Sequence, residues 1–128
     1  MHKPGKKIFV SLSGGNLEGY HANQEQFNNY LKKFSFSPEQ VHNIVIIETM
    51  FVEPEARGKG IGTKLIESAL NQIPLECEVW LIADKLESNN FCLVSWYENF
   101  GFEIIKETPS FALMRKKISF DKIYNHVI

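Results

Sequence analysis

Glu53-Pro54-Glu55-Ala56-Arg57-Gly58-Lys59-Gly60-Ile61-Gly62-Thr63-Lys64 is a glycine-rich turn between two segments of different period. On its N-terminal side, Val41 to Val52 holds Ile44, Val45, Ile46, Ile47, Met50, Phe51 and Val52, apolar at both parities. That pattern predicts a central strand buried on both faces. After Pro54 the apolar residues Ile61, Leu65, Ile66, Ala69, Leu70 and Ile73 form one helical stripe, with Thr63, Lys64, Glu67, Ser68 and Asn71 facing away. Pro74 stops this helix. A strand, a tight turn and an amphipathic helix are a unit of an α/β fold.

Two phosphate-binding patterns can be tested on the turn. A Walker loop needs a glycine directly before Lys-Ser/Thr, but Thr63 precedes Lys64 and Leu65 follows it. A dinucleotide fingerprint begun at Gly58 or Gly60 needs its third glycine at Thr63 or Leu65. Both fail. Glycines at alternate positions still clear side chains from a helix N-terminus, where unpaired N–H groups and the positive dipole end attract anions. Arg57 and Lys59 add positive charge, although the same glycines would also suit a plain strand-to-helix connection.

Outward from this unit, Ile8, Val10 and Leu12 alternate with Phe9 and Ser11, and Ser13-Gly14-Gly15-Asn16 supplies a turn. A hairpin returning from Leu17 to Ala22 is preferred; a helix capped by Asn16 and carrying Leu17, Tyr20, Phe27 and Leu31 is the rival. Gln24 to Phe34 is helical, with Phe27, Tyr30, Leu31 and Phe34 on one face and Ser37-Pro38 ending it. Glu78 to Ala83 is a strand. Ser88, Asn89 and Asn90 offer caps for a helix bearing Leu93, Trp96, Tyr97 and Phe100, stopped at Gly101. Phe102 to Ile105 and Phe111 to Met114 make two more strands across Thr108-Pro109-Ser110. No repeat or linker divides the chain, so one α/β domain over residues 1–128 is expected.

Composition narrows the function. In 128 residues, 14 basic side chains face 15 acidic ones, and no basic arm exists to bind nucleic acid by bulk charge. The longest aliphatic run, Ile44 to Ile47, is far below the ~18 residues of a membrane span. Lys3, Lys6 and Lys7 precede only Ile8, Phe9 and Val10, too short for a signal-peptide core, so a cytoplasmic location is expected. Cys77 and Cys92 suit reduced thiols, and no Cys/His spacing suggests a metal. His21 and His42 have no spacing partners and read as surface or hairpin residues.

Val52-Glu53-Pro54 followed by Arg57, Gly60 and Gly62 fits Arg/Gln-x-x-Gly-x-Gly/Ala and resembles the acetyl-CoA signature of the GNAT superfamily of N-acetyltransferases. Asn90-Phe-Cys-Leu-Val-Ser-Trp-Tyr-Glu-Asn-Phe-Gly-Phe102 is similar to that family's run from an asparagine through a helical Tyr-Glu to a closing Gly-Phe. Together the motifs lie within Ile44 to Ile105, about half the chain. The resemblance implies a mixed, largely antiparallel twisted sheet flanked by helices. It implies acetyl-CoA as co-substrate, its pantetheine arm pairing with the backbone of Met50, Phe51 and Val52. Its phosphates would then lie on the loop of Arg57, Gly58, Lys59, Gly60, Ile61, Gly62 and Thr63, with Asn90 as a further hydrogen-bonding residue that would equally serve as a cap.

The implied reaction is direct acetyl transfer to a primary amine. Tyr97 stands where the family often keeps a general acid for the leaving thiolate, though its stripe also suits a core aromatic. A phenol near 10 protonates a thiolate near 8.5 at a cost of only ~2 kcal/mol. An amine near 10.4 needs a base or a desolvating pocket. Glu48 is the first candidate, expected either to be raised in pKa among apolar neighbours or to point outward where the strand emerges, and Asp84 is the reserve. Cys92 lies about 140° around the helix from Tyr97, which argues against a covalent relay. The rival function is a catalytically silent acyl-CoA-binding module.

The family usually opens with a strand and two helices that wall the acceptor pocket, whereas 43 residues precede Ile44 here, enough for a hairpin and one helix. An open acceptor cleft follows, suited to a protein lysine or N-terminus more than a small amine, or to a pocket finished by a second chain. The apolar, mostly aromatic surface of Phe27, Tyr30, Leu31, Phe34 and Phe36 is expected either to mark such a homodimer interface or to pack on the sheet.

Overall fold

The computed structural model describes residues 5–36, 42–85 and 92–119. Strands β1 (Lys7–Leu12) and β2 (Gly15–Ala22) form the expected hairpin, which removes the helical rival for residues 16–22. Helix α1 (Gln24–Leu31) follows, and then β3 (Ile44–Val52), α2 (Ile61–Gln72), β4 (Glu78–Asp84), α3 (Leu93–Glu98), β5 (Glu103–Glu107) and β6 (Phe111–Lys117). One six-stranded sheet runs β1-β2-β3-β4-β6-β5. Every pair is antiparallel except β3–β4, which the α2 crossover joins in parallel.

Helix α1 starts at a capping box in which Asn23 Oδ1 accepts from Gln26 N at 2.8 Å and Asn23 N donates to Gln26 Oε1 at 2.9 Å. It is shorter than its apolar stripe suggested: Lys32–Phe34 tighten into a 3₁₀ turn closed by Ser35 at φ 50°. The proposed stop at Ser37 and Pro38 lies outside the described residues, as do Ser88, Asn89 and Asn90. Cys92 caps α3 instead, its Sγ accepting from Ser95 N at 3.4 Å.

Apolar residues are buried on both faces. Ile8, Val10, Leu17, Val45 and Ile47 pack with Leu65, Ile66 and Ala69 of α2, whereas Ile44, Ile46, Trp80 and Leu113 pack with Phe27, Leu31 and Phe34. The aromatics of the α1 segment are thus spent on the sheet, with Tyr30 and Phe36 partly buried against the same cluster. They no longer argue for an interface with a second chain. His21 is a hairpin residue, the second of its two expected places, and is buried on β2 with 4% of its surface exposed.

Strand β3 is buried on both sides only over Ile44 to Ile47; Glu48, Thr49 and Phe51 are exposed and Met50 and Val52 half-buried. Two features cause this correction. Pairing with β4 covers only Ile44–Ile46 against Glu78–Trp80, after which the strands diverge. In addition, Glu18 faces Thr49 while Gly19 faces Ile47, which leaves Glu48 as the extra residue of a β-bulge. Gly19 permits the close approach there, because a Cβ on it would sit 2.5 Å from the Ile46 carbonyl oxygen.

Candidate acyl-transfer cleft

The divergence of β3 and β4 opens a cleft of about 910 Å³. Ile47 to Val52 form one wall; Leu81, Ile82 and Asp84 of β4, with Leu93, Trp96 and Tyr97 of α3, form the other. Ala56, Arg57, Gly58, Gly60, Ile61, Gly62 and Thr63 line the mouth. Eleven residues singled out from sequence therefore meet in one place: Glu48, Met50, Phe51, Val52, Arg57, Gly58, Gly60, Ile61, Gly62, Thr63 and Tyr97. The reserve carboxylate Asp84 joins them. Lys59 is exposed on the loop without lining the cleft. Asn90 lies outside the described residues.

The mouth can hold an anion. Gly58 and Gly60 both have φ 80°, a conformation costly to residues with a Cβ, and Gly60 caps α2 without any side-chain hydrogen bond. The first bond of the helix is from Lys64 N to Gly60 O, at 3.1 Å. The N–H groups of Ile61, Gly62 and Thr63 thus have no side-chain cap at the positive end of the helix. Arg57 does more than lend charge, since its Nε donates to the Val52 carbonyl at 3.1 Å and ties the loop to the end of β3.

Along the wall, the backbone of β3 beyond Ile46 has lost its β4 partner. Buried strand groups must be satisfied, and an extended ligand arm can supply that pairing. Tyr97, 6% exposed, has its ring edge-on to Trp96 at 5.1 Å and to Phe102 at 5.7 Å. It is a core aromatic that also lines the cleft, so its two sequence readings are compatible. Glu48 stands exposed at the bulge, the outward of its two sequence readings. The Cys92 thiol, held below its usual pKa by hydrogen bonds from Ser95, is exposed and does not line the cleft.

Sequence reasoning left two participants unassigned. A Cβ on Gly62 would meet the Trp96 ring at 3.4 Å, so Trp96 seats α3 against the start of α2. Tyr30, from α1, is partly buried against the same apolar cluster as Ile82, which lines the cleft. Burial is the main cause that raises the Tyr30 phenol above its usual value, with Tyr20, Glu48 and Tyr97 adding to it. Burial also raises Tyr20, helped by Glu48. Trp96 was signalled by its place in the α3 stripe, and Tyr30 by nothing beyond its helical spacing.

A mixed, largely antiparallel sheet flanked by helices is the architecture the resemblance implied. Residues 4–104 match the acetyltransferase (GNAT) domain family, and the chain belongs to it. Solved structures share the fold at low identity. The PaiA N-acetyltransferase of Thermoplasma acidophilum, in complex with coenzyme A, is 18% identical with a TM-score of 0.54, over 88% of this chain and 61% of that one. Arabidopsis thaliana Naa50, in complex with the bisubstrate analogue CoA-Ac-MVNAL, is 22% identical with a TM-score of 0.53, over 81% and 65%. This chain therefore spans less than two thirds of either. The anti-CRISPR protein AcrVA5 is nearer in size: 18% identity and a TM-score of 0.52 over 86% of this chain and 97% of that one. No match was found among curated proteins.

Proposed function

We propose that this chain transfers the acetyl group of acetyl-CoA to a primary amine by direct attack. The observation that carries the reading is the pairing, within one cleft, of an unpartnered β3 edge with a helix start that lacks a side-chain cap. Phosphates would lie on the N–H groups of Ile61, Gly62 and Thr63, and the pantetheine arm would run inward along Val52, Phe51 and Met50. The thioester then reaches the stretch between Glu48 and Tyr97. The amine attacks the acetyl carbon, a tetrahedral oxyanion forms in the splay, and the C–S bond breaks. Tyr97 gives its proton to the departing thiolate, while Glu48 or Asp84, through water, takes the proton lost by the amine.

The acceptor favoured here is a protein lysine or N-terminus. Helix α1 covers only part of its face of the sheet, where Phe51, lining the cleft, remains 46% exposed and Phe9, two strands away, 57%. We propose a cytoplasmic location, which suits a chain whose cysteines, Cys77 buried and Cys92 exposed, are thiols.

The test is a melting curve with acetyl-CoA, followed by thiol release and mass spectrometry against a panel of peptides and small amines. Ligand bound to the native state alone raises Tm. An unchanged curve at millimolar acetyl-CoA would sink the cofactor assignment. Binding without acetylation of any acceptor would leave a silent CoA-binding module instead.

A further inference from the structure

The glycine loop between β3 and α2 rests on the tip of the β1–β2 hairpin. Glu53, the first residue after β3, gives its N–H to the Gly14 carbonyl at 2.8 Å, one step beyond the ladder pair of Gly15 and Val52. The chain then coils through a 3₁₀ turn at Pro54–Ala56, where Ala56 N donates to Glu53 O at 2.9 Å and Arg57 N to Pro54 O at 3.3 Å. This turn swings Ala56 back over the hairpin. A Cβ on Gly14, which has φ 96°, would lie 2.8 Å from the Ala56 Cβ, closer than two carbons in contact can approach. Within residues 53–60, all of them described, Ala56 alone is even partly buried. The one packed side chain of the loop therefore stands on a residue with no side chain to displace it. Next to it, a Cβ on Gly15 would meet Ile61 and Leu65 at 3.1 Å, so the tip also carries the first turns of α2.

We propose that Gly14 is a positioning residue for acetyl-CoA: the hairpin tip seats the phosphate loop and sets where the N–H groups of Ile61, Gly62 and Thr63 are presented. The tip holds the loop at Glu53 and Ala56, and the bond from Arg57 to Val52 O holds it one residue on. Only Gly58 to Gly60 remain between these anchors and α2. A loop held in its binding form before the ligand arrives loses less conformational freedom on binding, and the saving appears as affinity. Ala56 lines the cleft and Gly14 does not, so Gly14 acts through Ala56 and never touches the ligand. The inference rests on the acetyl-CoA reading of the cleft.

Gly14→Ala sets a methyl group against Ala56. Gly5→Ala is its control for backbone strain, since Gly5 has φ 86° and nothing within 4 Å of the added carbon. In calorimetry and steady-state transfer, Gly14→Ala should weaken acetyl-CoA binding and raise its KM about tenfold, with kcat within about twofold because the inner end of the cleft is untouched. Gly5→Ala should lower Tm and leave that KM unchanged. Combined with Ala56→Gly, the methyl has room, and Gly14→Ala should then cost no more than about twofold in affinity relative to Ala56→Gly alone. A further measurement needs no variant to fold. In wild-type protein, saturating acetyl-CoA should slow hydrogen exchange at the Glu53 amide about tenfold, because bound ligand opposes openings that unseat the loop. Wild-type affinity in Gly14→Ala overturns the proposal. So does an equal loss in Gly5→Ala, a Gly14→Ala penalty that Ala56→Gly leaves undiminished, or a Glu53 amide that acetyl-CoA does not protect. Failure of the underlying reading looks different: the wild-type protein itself would bind no acetyl-CoA, and the inference would fall with it.

Discussion

Strand β3 is two structures in one. From Ile44 to Ile47 every side chain is buried, alternately against the α1 and the α2 face, and β4 lies alongside. From Glu48 to Val52 the same strand keeps its β2 partner but has lost β4, and its side chains emerge into a cleft. Both halves are rich in strand-forming residues, so propensity does not separate them. What separates them is the partner: a ladder on both edges closes a core, and a ladder on one edge leaves backbone groups available to a ligand. The first half is expected to govern stability and the second to govern binding and turnover.

The most severe test falls on the open half. Tyr97→Phe should leave the ring packing against Trp96 and Phe102 intact and lower turnover by about 10² to 10⁴, the range for a lost general acid, with acetyl-CoA affinity little changed. Equal turnover would return Tyr97 to a purely structural role. On the closed half, Ile46→Ala empties a fully buried site and should cost about 2–5 kcal/mol of stability in denaturant unfolding. A loss below 1 kcal/mol would mean that this half is not the core it looks to be.

At the mouth, Gly60→Val forces a β-branched residue to φ 80°, a strain on the order of 1–3 kcal/mol. Relief by rearrangement of the loop should weaken acetyl-CoA binding by roughly 10- to 100-fold in calorimetry, with the circular dichroism of the fold retained. Wild-type affinity in this variant would place the phosphates elsewhere. Arg57→Ala removes both a charge and the strap to the Val52 carbonyl. Its effect on affinity should be about tenfold at low salt and should shrink as ionic strength rises. The portion that survives high salt measures the strap. Smallest of all, Phe51→Ala, at a side chain that is nearly half exposed, should shift stability by no more than about 0.5 kcal/mol, in contrast with Ile46 five positions earlier. A larger loss would erase the distinction between the halves.

Much of this was legible in the chain because it is locally encoded. The α2 stripe from Ile61, the glycines at 58, 60 and 62, and the hairpin around Gly14 and Gly15 each depend on residues within one or two turns of each other. The α3 cap was misassigned because Ser88, Asn89 and Asn90 are all better capping types than Cys92, and type was the available guide. Between an enclosed and an outward Glu48 the sequence alone did not decide. Its apolar neighbours suggested burial, but the bulge opposite Gly19 and the loss of β4 determine its exposure.

By itself, the sequence determined the elements, their order and the family motifs, because periodicity, turn chemistry and a run of glycines act over short distances. Only the tertiary structure decided where β3 and β4 part and that Glu48 stands at a bulge. Each of these is a contact between segments far apart in the chain or a register between strands, and register follows from how whole faces pack. Side-chain type alone carries no record of which backbone N–H will be left without its neighbour.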